Sequence, residues 1–203
     1  EMGLVSDREA QDHLNWLVRK GTWFNWGTDQ YEHLVHGQVI SQMKMYSAAA
    51  RLYRRFGLRA IGIPYQLGLV RCVPASDLVE GMLNNTDRPD VADPETGEVI
   101  EPGRPIVHFN EGDMGAGVPQ VLLRDIYLRK GLPPETTLHD VRWGRAYNGR
   151  FLWVFEISGG APPAHFGGWQ YTKVYRQPKV YFPLGGGSCS GVSKPGVITL
   201  PSG

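Results

Sequence analysis

RPIVHFNEGDMGAGVPQVLLRDIYLRKGLPPETTLHDVRW, residues 104–143, is the stretch from which the fold of this chain can be built outward. Arg104 and Pro105 lead into the apolar run of residues 106–109, which stops at Asn110, Glu111, Gly112 and Asp113. A short β-type run ending in Asn, Glu and Gly is a strand that delivers polar side chains to a sheet edge. Val118, Val121, Leu122, Ile126 and Leu128 then supply the apolar positions of a helix, which Gly131, Leu132, Pro133 and Pro134 stop. Residues 136–143 resume a β pattern and bring Asp140 into play. Two carboxylates at matching strand ends can hold one divalent cation or hand a proton across a substrate.

Upstream the same alternation of helix and strand holds. Ser6 and Asp7 followed by Glu9 form a helix start, and Ala10, Leu14, Leu17 and Val18 give its apolar stripe. Trp23, Phe24 and Trp26 fall in a connector that must bury its rings. Thr28 and Asp29 are expected to begin the longest helix, which runs to about Phe56. Its positions Val35, Val39, Met43, Tyr46, Ala50 and Tyr53 share one face. Residues 59–65 read as a short strand with Gln66 at its carboxyl end. Pro74, Ser76 and Asp77 open a helix to about Leu83, and residues 84–103 form a polar loop. In open α/β sheets ligands gather at the carboxyl ends of strands, which here means near Gln66 and Glu111.

Downstream of Asp140 the pattern turns to β. Strands are expected at residues 151–157, 169–176, 179–182 and 197–200, with a glycine-rich loop at 185–191. The expected organisation is therefore an α/β layer over residues 1–133 followed by a β-rich C-terminal domain over residues 134–203. The last expected strand runs almost to the end of the sequence, as if the chain were cut there.

With 203 residues, 41% of them apolar, the chain can bury a sizeable core. Its 21 basic and 20 acidic residues leave no electrostatic footprint for nucleic acid or an anionic membrane. No run has the roughly 18 apolar residues of a membrane span, and residues 1–11 lack the pattern of a signal peptide. Cys72 and Cys189 lie in different segments and read as reduced thiols of a cytoplasmic protein.

Several groups are candidates for chemistry, each with a plainer structural role beside it. Glu111 and Asp140 are the main pair, although each can also cap the element that follows it. His165, among Pro162, Pro163, Gly167 and Gly168, sits in an irregular connection where a ring can face a cleft or simply pack. His33 and His36 are three apart but lack a metal-protease context. By strand alternation His108 faces away from Glu111, and His139 away from Asp140. The GGGSCSG run at 185–191 lacks the Lys and the following helix of a phosphate loop and reads as a turn. Trp23, Trp26, Trp143 and Trp169 can stack on sugar rings or pack.

Phe109, Asn110, Glu111, Gly112 and Asp113, then a helix, then Asp140, Val141, Arg142 and Trp143 resemble the L-fucose isomerase family of aldose–ketose isomerases. Ile63, Pro64, Tyr65 and Gln66 look like its strand ending in a substrate-contacting glutamine. The helix ASDLVEGMLNN at 75–85, Phe155 to Ser158, Pro163 to His165 and residues 10–27 are also similar to family segments, in order along nearly the whole chain. The resemblance implies a Mn²⁺ or other divalent ion held by Glu111 and Asp140, which are also the acid–base pair. It implies Gln66 and His165 as substrate contacts, a monosaccharide substrate, a cis-enediol intermediate, and a homo-oligomer, hexamer or trimer. The family's third metal ligand, a histidine in an Asn-His-Gly motif, has no counterpart here. Family members are also longer, so this chain is expected to be the central to C-terminal part of such an enzyme or a compact relative. The same resemblance admits a non-catalytic sugar-binding or assembly module that keeps the fold.

Overall fold

The computed structural model describes residues 1–64, 68–157 and 159–200. Among these residues, four α-helices and seven strands follow in the order α1 (Asp7–Arg19), β1 (Trp23–Phe24), α2 (His36–Arg55), β2 (Ile61–Gly62), α3 (Asp77–Leu83), β3 (His108–Phe109), α4 (Met114–Lys130), β4 (Asp140–Tyr147), β5 (Arg150–Glu156), β6 (Lys173–Arg176) and β7 (Gly187–Ser190). Helices mixed with small sheets place the chain in the α/β class. Among the described residues no helix is long and apolar enough to cross a membrane.

Local sequence explains several element ends. Ser6 caps α1 by accepting from Glu9 N–H at 3.1 Å. Gly131 closes α4 in the left-handed conformation, φ 64°, which an L side chain resists. α2 begins at His36 rather than Thr28. The Asp29 carboxylate is spent on a tight turn, accepting from Tyr31 N–H at 2.9 Å, and Leu34 is drawn into a bridge beside Trp26.

The main core lies between α1, α2 and α3, with Leu14, Leu17, Met43, Tyr46, Leu78, Met82 and Leu83 all buried. α3 is buried at every position. The loop after it is pinned by one buried guanidinium. Arg88 donates to the carbonyls of Ile100 (2.9 Å), Glu101 (3.0 Å) and Arg104 (3.3 Å), and to the Tyr46 hydroxyl (2.9 Å). Arg88→Met should cost about 2–4 kcal/mol, because it strands several buried acceptors at once. Urea denaturation, with proteolysis mapped to residues 84–103, measures it; an unchanged midpoint refutes that role.

Three small sheets result. β2 and β3 pair in parallel, Ile61 with His108 and Gly62 with Phe109. β4 and β5 form an antiparallel hairpin whose turn residues Asn148 and Gly149 both have positive φ, the geometry that suits right-twisted strands. β1, β6 and β7 form the third, β1 parallel to β6 and β6 antiparallel to β7. A β-rich domain over 134–203 is not seen among the described residues. Of the strands there, β6 joins β1 from the N-terminal region, β7 packs on α3, and the hairpin pairs mainly with itself.

Other expectations change in the same region. Residues 179–182 form a turn, and 197–200 carry no strand. The glycine-rich run contains strand β7. Glycine is required there because a Cβ at Gly187 would stand 2.4 Å from the Val174 side chain. The buried Gln42 of α2 also reads that backbone from both sides, accepting from Gly187 N–H (2.8 Å) and donating to its carbonyl (3.0 Å). The apolar stripe expected to bury α4 is largely exposed at Val118, Leu122 and Ile126; Gly117, Gln120 and Arg124 face inward instead. Gly117 is there because the Phe109 ring fills the space its side chain would take.

Candidate functional site

The carboxyl end of β3 delivers a short helical turn, Asn110–Gly112. Within it Glu111 has φ 51° and ψ 11°, a left-handed backbone for a residue that has a Cβ. Such a conformation costs on the order of 1–3 kcal/mol and marks a place where surrounding structure over-determines the chain. Glu111 is half-buried and Asp113 is exposed at the rim.

Beneath the turn lies the buried polar face of α3. Asp77, Glu80 and Asn84 follow one another at i, i+3 and i+7, which sets them on one side of the helix. Asn84 clamps β3 at both backbone groups of His108, accepting from its N–H at 2.9 Å and donating to its carbonyl at 2.8 Å. Glu80 and His108 are both 0% exposed, with Glu80 Oε2 3.7 Å from His108 Nδ1. That separation is too long for a hydrogen bond. Among the described residues, neither carboxylate oxygen of Glu80 and neither ring nitrogen of His108 has a hydrogen-bond partner.

The electrostatics of this node follow from burial. Burial raises the Glu80 carboxyl well above the ordinary range, and Asp77, Glu111 and Asp113 raise it further by repulsion. Burial lowers His108 to about 3, so its ring is neutral. Cys189, on β7 beside the same helix, has its thiol pushed up by burial and then by Asp77 and Glu80. Burial and like charge therefore both favour the protonated form of Glu80, which lies next to a neutral imidazole.

Asp140 opens β4 and is exposed, with its carboxylate 3.2 Å from Arg142, which also pairs with Glu156. Its other electrostatic neighbour is His139, whose ring lies edge-on to Phe155 and is lowered by burial first and then by His165. His165 sits on the short helix Pro163–Phe166, half-buried, with Nε2 3.3 Å from the Glu135 carbonyl; burial lowers it too. Glu111 thus shares its surroundings with Glu80 and Asp113, and Asp140 shares its own with Arg142, His139 and, through His139, His165. Gln66 lies outside the described residues.

Among the described residues no three His, Cys, Asp or Glu side chains form a group that could hold a metal ion. Glu111 and Asp140 have the donor chemistry of a hard-cation site, but these residues do not close one. Trp169 is a packing residue, 1% exposed, its indole N–H donating to Asp87 O at 2.7 Å, whereas Trp23, Trp26 and Trp143 are exposed.

Sequence reasoning set His108 apart from Glu111 by strand parity. Parity ends with the strand at Phe109, and the left-handed turn brings Glu111 back within electrostatic reach of Glu80, the neighbour of His108. Glu80 was not singled out as a site residue. Its signal was an acid inside an otherwise apolar helix with Asp77 and Asn84 on the same face. No family model, curated protein or solved structure matches this chain.

Proposed function

We propose that this chain is the core of a metal-dependent aldose–ketose isomerase of the L-fucose isomerase type. The observation that supports the reading best is Glu111. A carboxylate is presented on a strained turn at the carboxyl end of a parallel strand pair, where α/β sheets gather ligands. Its task in this reading is to take the proton from C2 of an open-chain aldose and return it to C1 through a cis-enediol. Asp140 is the second carboxylate of the pair, and Gln66 and His165 contact the sugar.

A bound divalent ion would polarise the sugar carbonyl and acidify the neighbouring C–H. Glu111 and Asp140 are the ligands this proposal assigns, and the donors that complete the set lie outside the described residues. The proposal also includes a cytoplasmic location, a β-rich domain completed by further chain, and a homo-oligomer. The exposed apolar side chains of α4 and of the hairpin suit such an assembly.

A second reading is a non-catalytic sugar-binding or assembly module. The pairing of exposed Asp140 with Arg142 favours it, because that carboxylate is already engaged. Incubation with L-fucose or D-arabinose and Mn²⁺, with ketose measured over time, separates the two. Ketose that disappears on chelation supports the isomerase. Sugar binding without ketose supports the module, and neither binding nor ketose refutes both.

A further inference from the structure

Arginines that the sequence scatters over separate segments meet in one cleft between the end of α2, the loop before β3 and the second half of α4. The cleft encloses about 290 Å³ and is lined by Arg54, Arg59, Arg104 and Arg124, with Glu101 and Asp125 among them. Arg54 belongs to the last turn of α2, where a cation offsets the helix dipole, and it is tied to Glu98 at 3.0 Å. Asp125 gathers two of the others. It pairs with Arg59 and with Arg124, whose Nε donates to Oδ1 at 2.9 Å. Arg124 is 6% exposed, a costly place for a guanidinium. Arg104 has a held backbone and a free side chain. Its carbonyl accepts from Arg88 Nε at 3.3 Å and its N–H donates to the Glu101 carbonyl at 3.2 Å. Among the described residues its guanidinium makes no hydrogen bond or ion pair.

Glu101 lines the same cleft in a left-handed backbone, φ 48°. Strain of that kind persists where the surroundings fix a residue's position, here through Arg88, which holds the Glu101 carbonyl at 3.0 Å. The Glu101 carboxylate accepts from the Tyr53 hydroxyl at 3.3 Å. A planar carboxylate is matched by the fork of one guanidinium, whereas guanidiniums arriving from three segments suit a tetrahedral group with several charged oxygens. We propose that this cleft binds the phosphate monoester of a small polyhydroxylated molecule, a sugar phosphate in class. Arg59, Arg104 and Arg124 receive the phosphate, and Glu101 accepts from a hydroxyl of the ligand body. The volume lies at the small end of ligand pockets, which suits a single sugar better than a dinucleotide. Arg124 stands ten residues beyond Met114, about 15 Å along α4. The cleft is thus apart from the Glu111 turn, and the proposal stands or falls without the isomerase reading.

The test is calorimetric titration at low ionic strength, where charge on an open cleft is least screened, with D-glucose 6-phosphate, inorganic phosphate and D-glucose as probes. For the wild type the ester should bind, inorganic phosphate should bind more weakly, and glucose should not bind. Arg104→Gln should weaken the ester about 10–100-fold, the worth of hydrogen bonds to a charged group. Its urea midpoint should not move, because the Arg104 side chain supports nothing else. Glu101→Gln removes a negative charge from the cleft, so inorganic phosphate should bind more tightly and the advantage of the ester over it should narrow. Ester binding that neither variant changes lies elsewhere and overturns the proposal, as does the absence of binding by either phosphate. Inorganic phosphate that binds as tightly as the ester overturns the assignment of an ester and leaves free phosphate as the ligand. Should R104Q lose stability, the E101Q titrations decide alone.

Discussion

Glu111→Gln is expected, on the isomerase proposal, to lower aldose–ketose turnover by about 10²–10⁴-fold, the usual worth of a positioned acid–base group, with the fold in place. Glutamine keeps the length and polarity of the side chain and can occupy the same left-handed turn, but it takes no proton at neutral pH. The loss should fall on kcat more than on KM, because proton transfer belongs to the transition state and not to sugar binding. Asp140→Asn is the informative comparison. Asp140 is exposed and already paired with Arg142, so its loss tests whether the hairpin takes part in the chemistry. Steady-state rates with a urea titration of each variant make the measurement. An E111Q protein that turns over within about threefold of wild type removes Glu111 from the reaction.

How much of this was readable in the residues depends on whether the controlling interaction is local. The start of α1 was legible because Ser6 and Glu9 are three apart, and the end of α4 because only glycine sits easily at φ 64°. The start of α2 was not, since Asp29 offers the same carboxylate to a helix cap and to a turn. Strand β7 was hidden because its glycines answer Val174 and Gln42, contacts made across more than a hundred residues in one case. The inverted face of α4 also lies outside local pattern: periodicity finds an apolar stripe but not which side the rest of the chain covers.

The candidate site divides along the same line. Glu111 was visible as the polar end of a strand, and strands were expected at 59–65 and 106–109, but their parallel pairing was not specified by either run. Its relation to Asp140 depends on how a hairpin is placed after a seventeen-residue helix, which no spacing along the chain specifies. Glu80 stands in the sequence as an acid within an apolar helix, sharing a face with Asp77 and Asn84, and that pattern does not say what covers the face. It becomes a buried acid only when residues 160 and 189 close over α3. The feature that most distinguishes the site is thus a product of tertiary packing.

His108 gives the second large effect, and it concerns stability. Its folded form titrates at about 3 because burial opposes the imidazolium, whereas an unfolded histidine titrates near 6.5. Below about pH 6.5 the unfolded chain binds a proton that the folded chain refuses, so stability falls with pH at about 1.4 kcal/mol per unit until about pH 3. Between pH 6.5 and 4.5 this amounts to about 2–3 kcal/mol from one residue. Glu80 acts in the opposite sense: its raised carboxyl contributes fully below the unfolded glutamate range and loses that contribution as pH rises. The two together favour a stability maximum at mildly acidic pH. His108→Leu keeps an apolar volume in the slot and leaves the Asn84 clamp, which grips only backbone, intact. Urea midpoints at half-unit pH steps should show H108L gaining stability relative to the wild type, by about the stated amount, between pH 6.5 and 4.5. Parallel limbs in the two proteins would mean that His108 takes its proton in the folded state, and that the imidazole beside Glu80 is charged.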